Sequence, residues 1–171
     1  MRTVEPGRYG EGGFTLLEVL IALVILSIGL LGLAALFSSG LQSNHGAYMH
    51  TQATLLAYDM ADRMRANTGG VTAGDYDNIA LGVPSSWTNC ATSGTNTPTD
   101  CTPAQVATFD DYQWESELKD LLPDGKGSVK KSGTNYVITV MWDDQHTGAT
   151  GTSCSGNSQV DLTCFTTSFR P

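Results

Sequence analysis

Residues 19–37 form an unbroken apolar run in which Ser27 is the only side chain able to hydrogen-bond. At about 1.5 Å rise per residue the run makes a helix of roughly 28 Å, close to the ~30 Å hydrocarbon core of a bilayer. From Ser38 onward the pattern becomes amphipathic, and no proline intervenes until Pro84. Met49, Ala53, Leu56, Met60 and Met64 recur at spacings of four, three, four and four, which is one helical face. That stripe reads as core rather than as a cofactor site. Asp59 and Arg63 are placed for an i, i+4 ion pair on a different face. Together the patterns predict one helix from Phe14 to about Asn67, roughly 80 Å long if continuous, with Gly69-Gly70 ending it. Its front half is apolar enough to meet lipid, and its back half offers one apolar face to the rest of the chain. Gly29, Gly32 and Gly40 lie inside it. Each costs about 1 kcal/mol relative to Ala, so they mark close helix contacts or places where the helix loosens.

Beyond the helix, residues 71–103 are rich in Gly, Thr, Ser, Asn and Pro and read as loop, carrying Trp87. A short helix is predicted over 103–122, opened by Pro103 and supplied with apolar positions by Val106, Phe109, Trp114, Leu118, Leu121 and Leu122. Pro123-Asp124-Gly125 is a turn, 127–131 a strand, and Gly133-Thr134-Asn135 a second turn. Residues 136–142 give the clearest strand: Tyr136, Ile138, Val140 and Trp142 alternate with Val137, Thr139 and Met141. Residues 143–158 read as a Gly/Ser/Thr loop and 159–169 as a closing antiparallel strand. A long helix, a loop-rich segment and a small sheet make an α+β chain with no internal repeat.

The 171 residues suggest one domain. About 130 of them remain beyond the apolar run and the segment before it, enough for a modest core. The net charge of −8 argues against direct nucleic-acid binding, since no Lys/Arg stripe is present to neutralise phosphates. Four cysteines fall in two close pairs, Cys90/Cys101 and Cys154/Cys164. Beyond a membrane anchor this reads as two disulfides in an oxidising compartment, with nearest-neighbour pairing favoured because both intervening stretches look like loops. A zinc site is the alternative, disfavoured by spacings longer than zinc pairs prefer. No nucleophile elbow, phosphate-binding loop, His-Glu-x-x-His or Cys-x-x-Cys is present. No catalytic residue, metal or cofactor is therefore expected. His45 and His50 lack an acidic partner at ligand spacing. Asp143-Asp144-Gln145-His146 reads as a polar turn before a metal cluster, and Asp75-Tyr76-Asp77-Asn78 lacks the Gly and late Glu of a calcium loop.

Glu18 is the exception to the apolar pattern. A carboxylate at the head of a membrane-length segment costs on the order of a few kcal/mol unless it finds a cation. In a plain anchor it would snorkel to the interface. Its surroundings, Gly13-Phe14-Thr15-Leu16-Leu17-Glu18 followed by the apolar run, resemble the class III signal of type IV prepilins and type II secretion pseudopilins. A secretory signal is cut after its apolar core; here the glycine precedes it. The resemblance implies cleavage by a prepilin peptidase between Gly13 and Phe14, N-methylation of Phe14, and retention of the helix on the mature chain. It also implies that Glu18 pairs with the free amine of a neighbouring subunit and so fixes axial register. Losing one partner of such a buried pair costs about 3–5 kcal/mol. The 1–13 leader is neutral, Arg2 and Arg8 offsetting Glu5 and Glu11, where the family's leaders are usually basic. The proline common early in this helix of major pilins is also absent.

Residues 53–67 resemble the corresponding segment of PilV-type minor pilins, also called type IV pilus modification proteins, and the strand ending Met141-Trp142-Asp143-Asp144 is similar to an element of that group. The resemblance implies a pilin-like fold: a long amino-terminal helix packed against a small antiparallel sheet with disulfide-tied loops. It divides the chain into a leader (1–13), the hydrophobic half of the helix (14–37), its amphipathic half (38–68) and a periplasmic head (69–171). It implies a minor pilin that sits in the inner membrane, joins other minor pilins, the major pilin and the pilus assembly platform to prime assembly, and afterwards reaches the pilus or cell surface. Adhesion, twitching or DNA uptake are the processes such a subunit serves. A minor pseudopilin of a type II secretion system is the alternative in the same class. A tip adhesin acting as a binding module and a plain anchored periplasmic domain are the alternatives outside it.

Overall fold

The computed structural model describes residues 13–91 and 101–171, so the leader before Gly13 and the centre of the Cys90–Cys101 loop lie outside the described residues. Helix α1 spans Leu16–Ala66. The chain divides into two compact units, one ending at Ser43 and the other running Asn44–Pro171.

In the first unit the apolar side chains of α1 are left uncovered by the described residues. Leu20, Leu23, Leu26, Leu30 and Leu33 all stay more than half exposed. The second unit is α+β. The later part of α1 buries the predicted stripe, Met49, Ala53, Leu56, Met60 and Met64, together with Ala57 and Ala61. Helix α2 is Thr68–Ala73, strand β1 is Asn78–Ile79, and helix α3 is Pro103–Leu121. Strands β2 (Lys126–Ser132), β3 (Asn135–Trp142) and β4 (Thr163–Phe169) follow. The four strands form one antiparallel sheet in chain order. Val129 lies opposite Ile138, and Val140 opposite Phe165.

One core joins α1, α3 and the inward face of the sheet through Trp114, Leu118, Val129, Tyr136, Ile138, Val140 and Trp142. Trp114 is fully buried and donates its indole N–H to the Leu56 carbonyl at 2.8 Å, fastening α3 to α1. The Trp114 ring is also why position 127 is glycine: a Cβ there would stand 2.3 Å from it. α3 starts on a capping box, with Thr102 accepting from the Gln105 N–H and the Gln105 side chain accepting from the Thr102 N–H.

Three sequence expectations are corrected. The break after α1 falls at Asn67, not at Gly69-Gly70, which lie inside α2. Asn67 caps α2 by accepting the Gly70 N–H at 3.1 Å and donates to Tyr76 Oη and the Pro103 carbonyl. Gly70 is needed for that close approach, since a Cβ would meet the Asn67 side chain at 2.7 Å. The stretch read as loop from 71 contains the end of α2 and β1, which pairs with Lys130 and Val129. The last strand begins at Thr163 rather than 159, because residues 158–160 turn and Asp161 bridges to Gly151. Of the two leucines that close the predicted helix, Leu122 is buried in the core and Leu121 is 45% exposed.

Candidate assembly site

Thr15 opens α1. Its hydroxyl accepts the Glu18 N–H at 3.2 Å and its carbonyl accepts the Val19 N–H. Thr15-x-x-Glu18 is the sequence form of a capping box, a signal the hydrophobic reading passed over. Here only the threonine half is made, and no described residue donates to the Glu18 carboxylate, which stays exposed. Ser27, the lone polar side chain of the run, donates to the Leu23 carbonyl at 2.6 Å and so presents no unmet donor to an apolar surrounding. Apart from adjacent residues and the helix's own nearby backbone, no described atom comes within 4 Å of a Cβ placed at Gly13, Gly29, Gly32 or Gly40. Their small size is thus not demanded by contacts within the described chain. Phe14 is 83% exposed beside this segment. Gly13, Phe14 and Glu18 therefore lie together at the start of the one helix, among the described residues, long and apolar enough to cross a membrane.

The head holds its carboxylates differently. Asp143 accepts N–H bonds from Thr147 and Gly148 at 3.0 and 2.8 Å; burial opposes its ionisation, but these donors hold it below the usual carboxylate range. Its neighbour Asp144 accepts the Trp142 indole N–H at 3.1 Å, so the Asp143-Asp144 pair organises a turn. Asp77 is likewise held low by the Tyr136 hydroxyl and then by Lys131. Asp161 accepts from Ser153 and Ser155. His45 stacks near His146 with ring centroids 6.1 Å apart, and His50 meets the Trp142 ring edge-on at 4.8 Å. Among the described residues no three His, Cys, Asp or Glu side chains gather closely enough to hold a metal ion.

Arg63 pairs with Asp59 at 2.6 Å, and its guanidinium also reaches Gln113, Glu117 and Asp110 on α3. The local i, i+4 pair is thus one corner of a link between helices. Asp110 also accepts from the Tyr76 hydroxyl; burial lifts its pKa, with Tyr76 and Arg63 working against that. Two further acids were not singled out by their sequence context, Asp111 and Glu115. Each has a buried oxygen without a partner. Burial, then the charge of Glu115, pushes Asp111 up to about 7. Burial lifts Glu115 as well, although it accepts the Gly127 N–H at 3.0 Å. The cysteines are joined as Cys90–Cys101 and Cys154–Cys164.

Comparison with known proteins finds two matching family models. One, described as the prokaryotic N-terminal methylation motif, matches residues 8–34. The other, described as type IV pilin Tt1218, matches residues 35–112. No curated protein and no solved structure matches the chain. The pilin model takes up the chain at the residue after the methylation motif ends, and it continues through the core stripe of α1 into α3. That continuity, on an α+β head carrying two disulfides, makes the chain a type IV pilin-like protein.

Proposed function

We propose that the chain is a minor pilin subunit of a type IV pilus, of the PilV type, whose work is assembly rather than catalysis. The observation that carries this reading is the exposed apolar start of α1 with a single carboxylate, Glu18, set in a methylation motif. Prepilin peptidase cuts between Gly13 and Phe14, and the new amino terminus at Phe14 is methylated. Before assembly, residues 14–37 hold the subunit in the inner membrane with the head in the periplasm. On assembly the helix leaves lipid for a bundle of sister helices, where Glu18 meets the amine of a neighbouring subunit in a low-dielectric setting. Interior charges in membrane segments are tolerated when they pair in this way. The PilV-type assignment rests on the likeness of residues 53–67 and of the strand ending at Asp144. It implies action with other minor pilins, the major pilin and the assembly platform to prime the filament, with a place at the tip serving adhesion or twitching.

Piliation and twitching of cells lacking the chain test this, with Glu18→Ala and a Gly13 substitution as companions. A sharp fall in surface pili, mimicked by both point variants, is the expected result. Normal pili with failed protein export would assign the chain to a type II secretion system instead. Normal pili with normal export would overturn the assembly role.

A further inference from the structure

The head carries a small uncharged pocket whose two walls are joined by the Cys90–Cys101 disulfide. Ser86, Trp87 and Thr88 line one wall, just before Cys90; Ala104, Gln105 and Thr108 line the other, on the first turns of α3 just after Cys101. Its volume is about 270 Å³, a little under the roughly 300 Å³ at which sites for drug-sized ligands begin. A single six-membered ring is the scale of occupant it suits.

Trp87 sets the chemistry. It stacks on Tyr112 with ring centroids 3.8 Å apart and lies 5.6 Å from Phe109, so its orientation is fixed from behind. It nevertheless remains 40% exposed. The indole N–H groups of Trp114 and Trp142 each have an acceptor, whereas that of Trp87 has none among the described residues. Gln105 uses its side-chain oxygen to accept the Thr102 N–H at 2.9 Å, which leaves its amide N–H groups as donors. The Thr108 hydroxyl donates to the Ala104 carbonyl at 3.0 Å and so offers lone pairs outward. Ser86 and Thr88 supply two further hydroxyls.

In a chain of net charge −8, none of the six described lining residues is ionisable. An ionic ligand finds no countercharge there. An acyl chain is matched no better, because four of the six lining side chains are polar. What fits is a neutral ring with one C–H face for the indole and hydroxyls that both donate and accept. We propose that this pocket binds a neutral saccharide, one sugar ring lying against Trp87 and its hydroxyls bonded by the Trp87 N–H, the Gln105 amide and the Ser86, Thr88 and Thr108 hydroxyls. Saccharide binding by the head and assembly through the amino-terminal helix are separable properties.

The test uses the full chain in phosphatidylcholine/phosphatidylglycerol nanodiscs, which contain no sugar headgroups. It is applied to an array of immobilised saccharides of glucose, galactose, mannose, N-acetylglucosamine and N-acetylgalactosamine, with sialylated and sulfated glycans alongside. Retention on at least one neutral glycan, competed by the free sugar, is expected. Trp87→Ala and Thr108→Arg should each weaken it about tenfold or more, as truncating or blocking a central contact does. Thr108→Arg fills the pocket from an α3 position while keeping Trp87, Phe109 and Tyr112 in the chain, so it decides the matter if Trp87→Ala unfolds the head. No retention on neutral glycans beyond that of empty nanodiscs, stronger retention on the charged glycans, or equal binding by wild type and Thr108→Arg would each overturn the proposal.

Discussion

Taking a carboxylate out of water is costly unless donors replace the water, and the acids of the head divide on that point. Asp143 and Asp161 each gather backbone N–H groups and stay ionised below the usual range. Asp111 and Glu115, one helical turn apart on α3, keep a buried oxygen each without a donor. Lys119 and Lys126 act on Glu115 only at a distance. The consequence is a pH dependence whose sign follows from proton counting. Unfolded, Asp111 titrates near the usual ~3.9; folded, it is pushed up to about 7. Between those values the folded chain binds more protons than the unfolded, so this carboxyl's contribution to stability falls as pH rises and levels off above the window. Asp143 and Asp161, shifted the other way, act below about pH 4 and do not confuse the comparison. Asp111→Asn should therefore stabilise the chain relative to wild type at pH 8, with the gain shrinking toward pH 5. Denaturation followed by tryptophan fluorescence at both pH values reads this. An equal effect at pH 5 and pH 8 would show that Asp111 is already ionised in the fold.

At the scale of elements, what a simple period encodes was legible and what depends on distant partners was not. The alternation of Tyr136, Ile138, Val140 and Trp142 marks β3, and the stripe from Met49 to Met64 marks the buried face of α1. Asn67 was harder to see as the break, because its role depends on Tyr76 and Pro103. β1 is only two residues long and exists through its pairing with β2, so no local period announces it. Arg63 showed its helical partner Asp59 in sequence, but not Gln113 and Glu117, which are 50 and 54 residues away. The burial of Asp111 and Glu115 depends on the same docking of α3. The two disulfides close loops of nearly equal length, with sequence separations of 11 and 10. Loop-closure entropy then assigns them similar contributions, about 2–3 kcal/mol each. Paired serine substitutions at Cys90/Cys101 and at Cys154/Cys164 should lower the melting temperature by similar amounts. A pair whose removal leaves it unchanged would show that its loop is already held by other contacts.

At the scale of the whole molecule, the sequence separates into a part that leaves its apolar side chains uncovered and a part that buries them. Among the described residues, those up to Ser43 bury no apolar side chain, whereas Asn44–Pro171 contains all the buried apolar ones. A chain so divided is completed by something outside itself, and the methylation motif and pilin match name the class of surroundings: membrane first, sister subunits afterwards. The proposed assembly site could be read from the sequence because membrane length, a lone carboxylate and a glycine before the apolar run are all local features. The Trp87 pocket could not, since its walls are brought together by the Cys90–Cys101 bond and the docking of Trp87 on Tyr112 and Phe109.

The most direct test of the assembly account is the mass of the chain's amino-terminal peptide, measured in filaments sheared from the cell surface. The account predicts a peptide beginning at N-methylated Phe14, with Glu18 as its fifth residue. A chain absent from the sheared filaments, still carrying residues 1–13, or cut beyond the apolar run at residue 37 would contradict it.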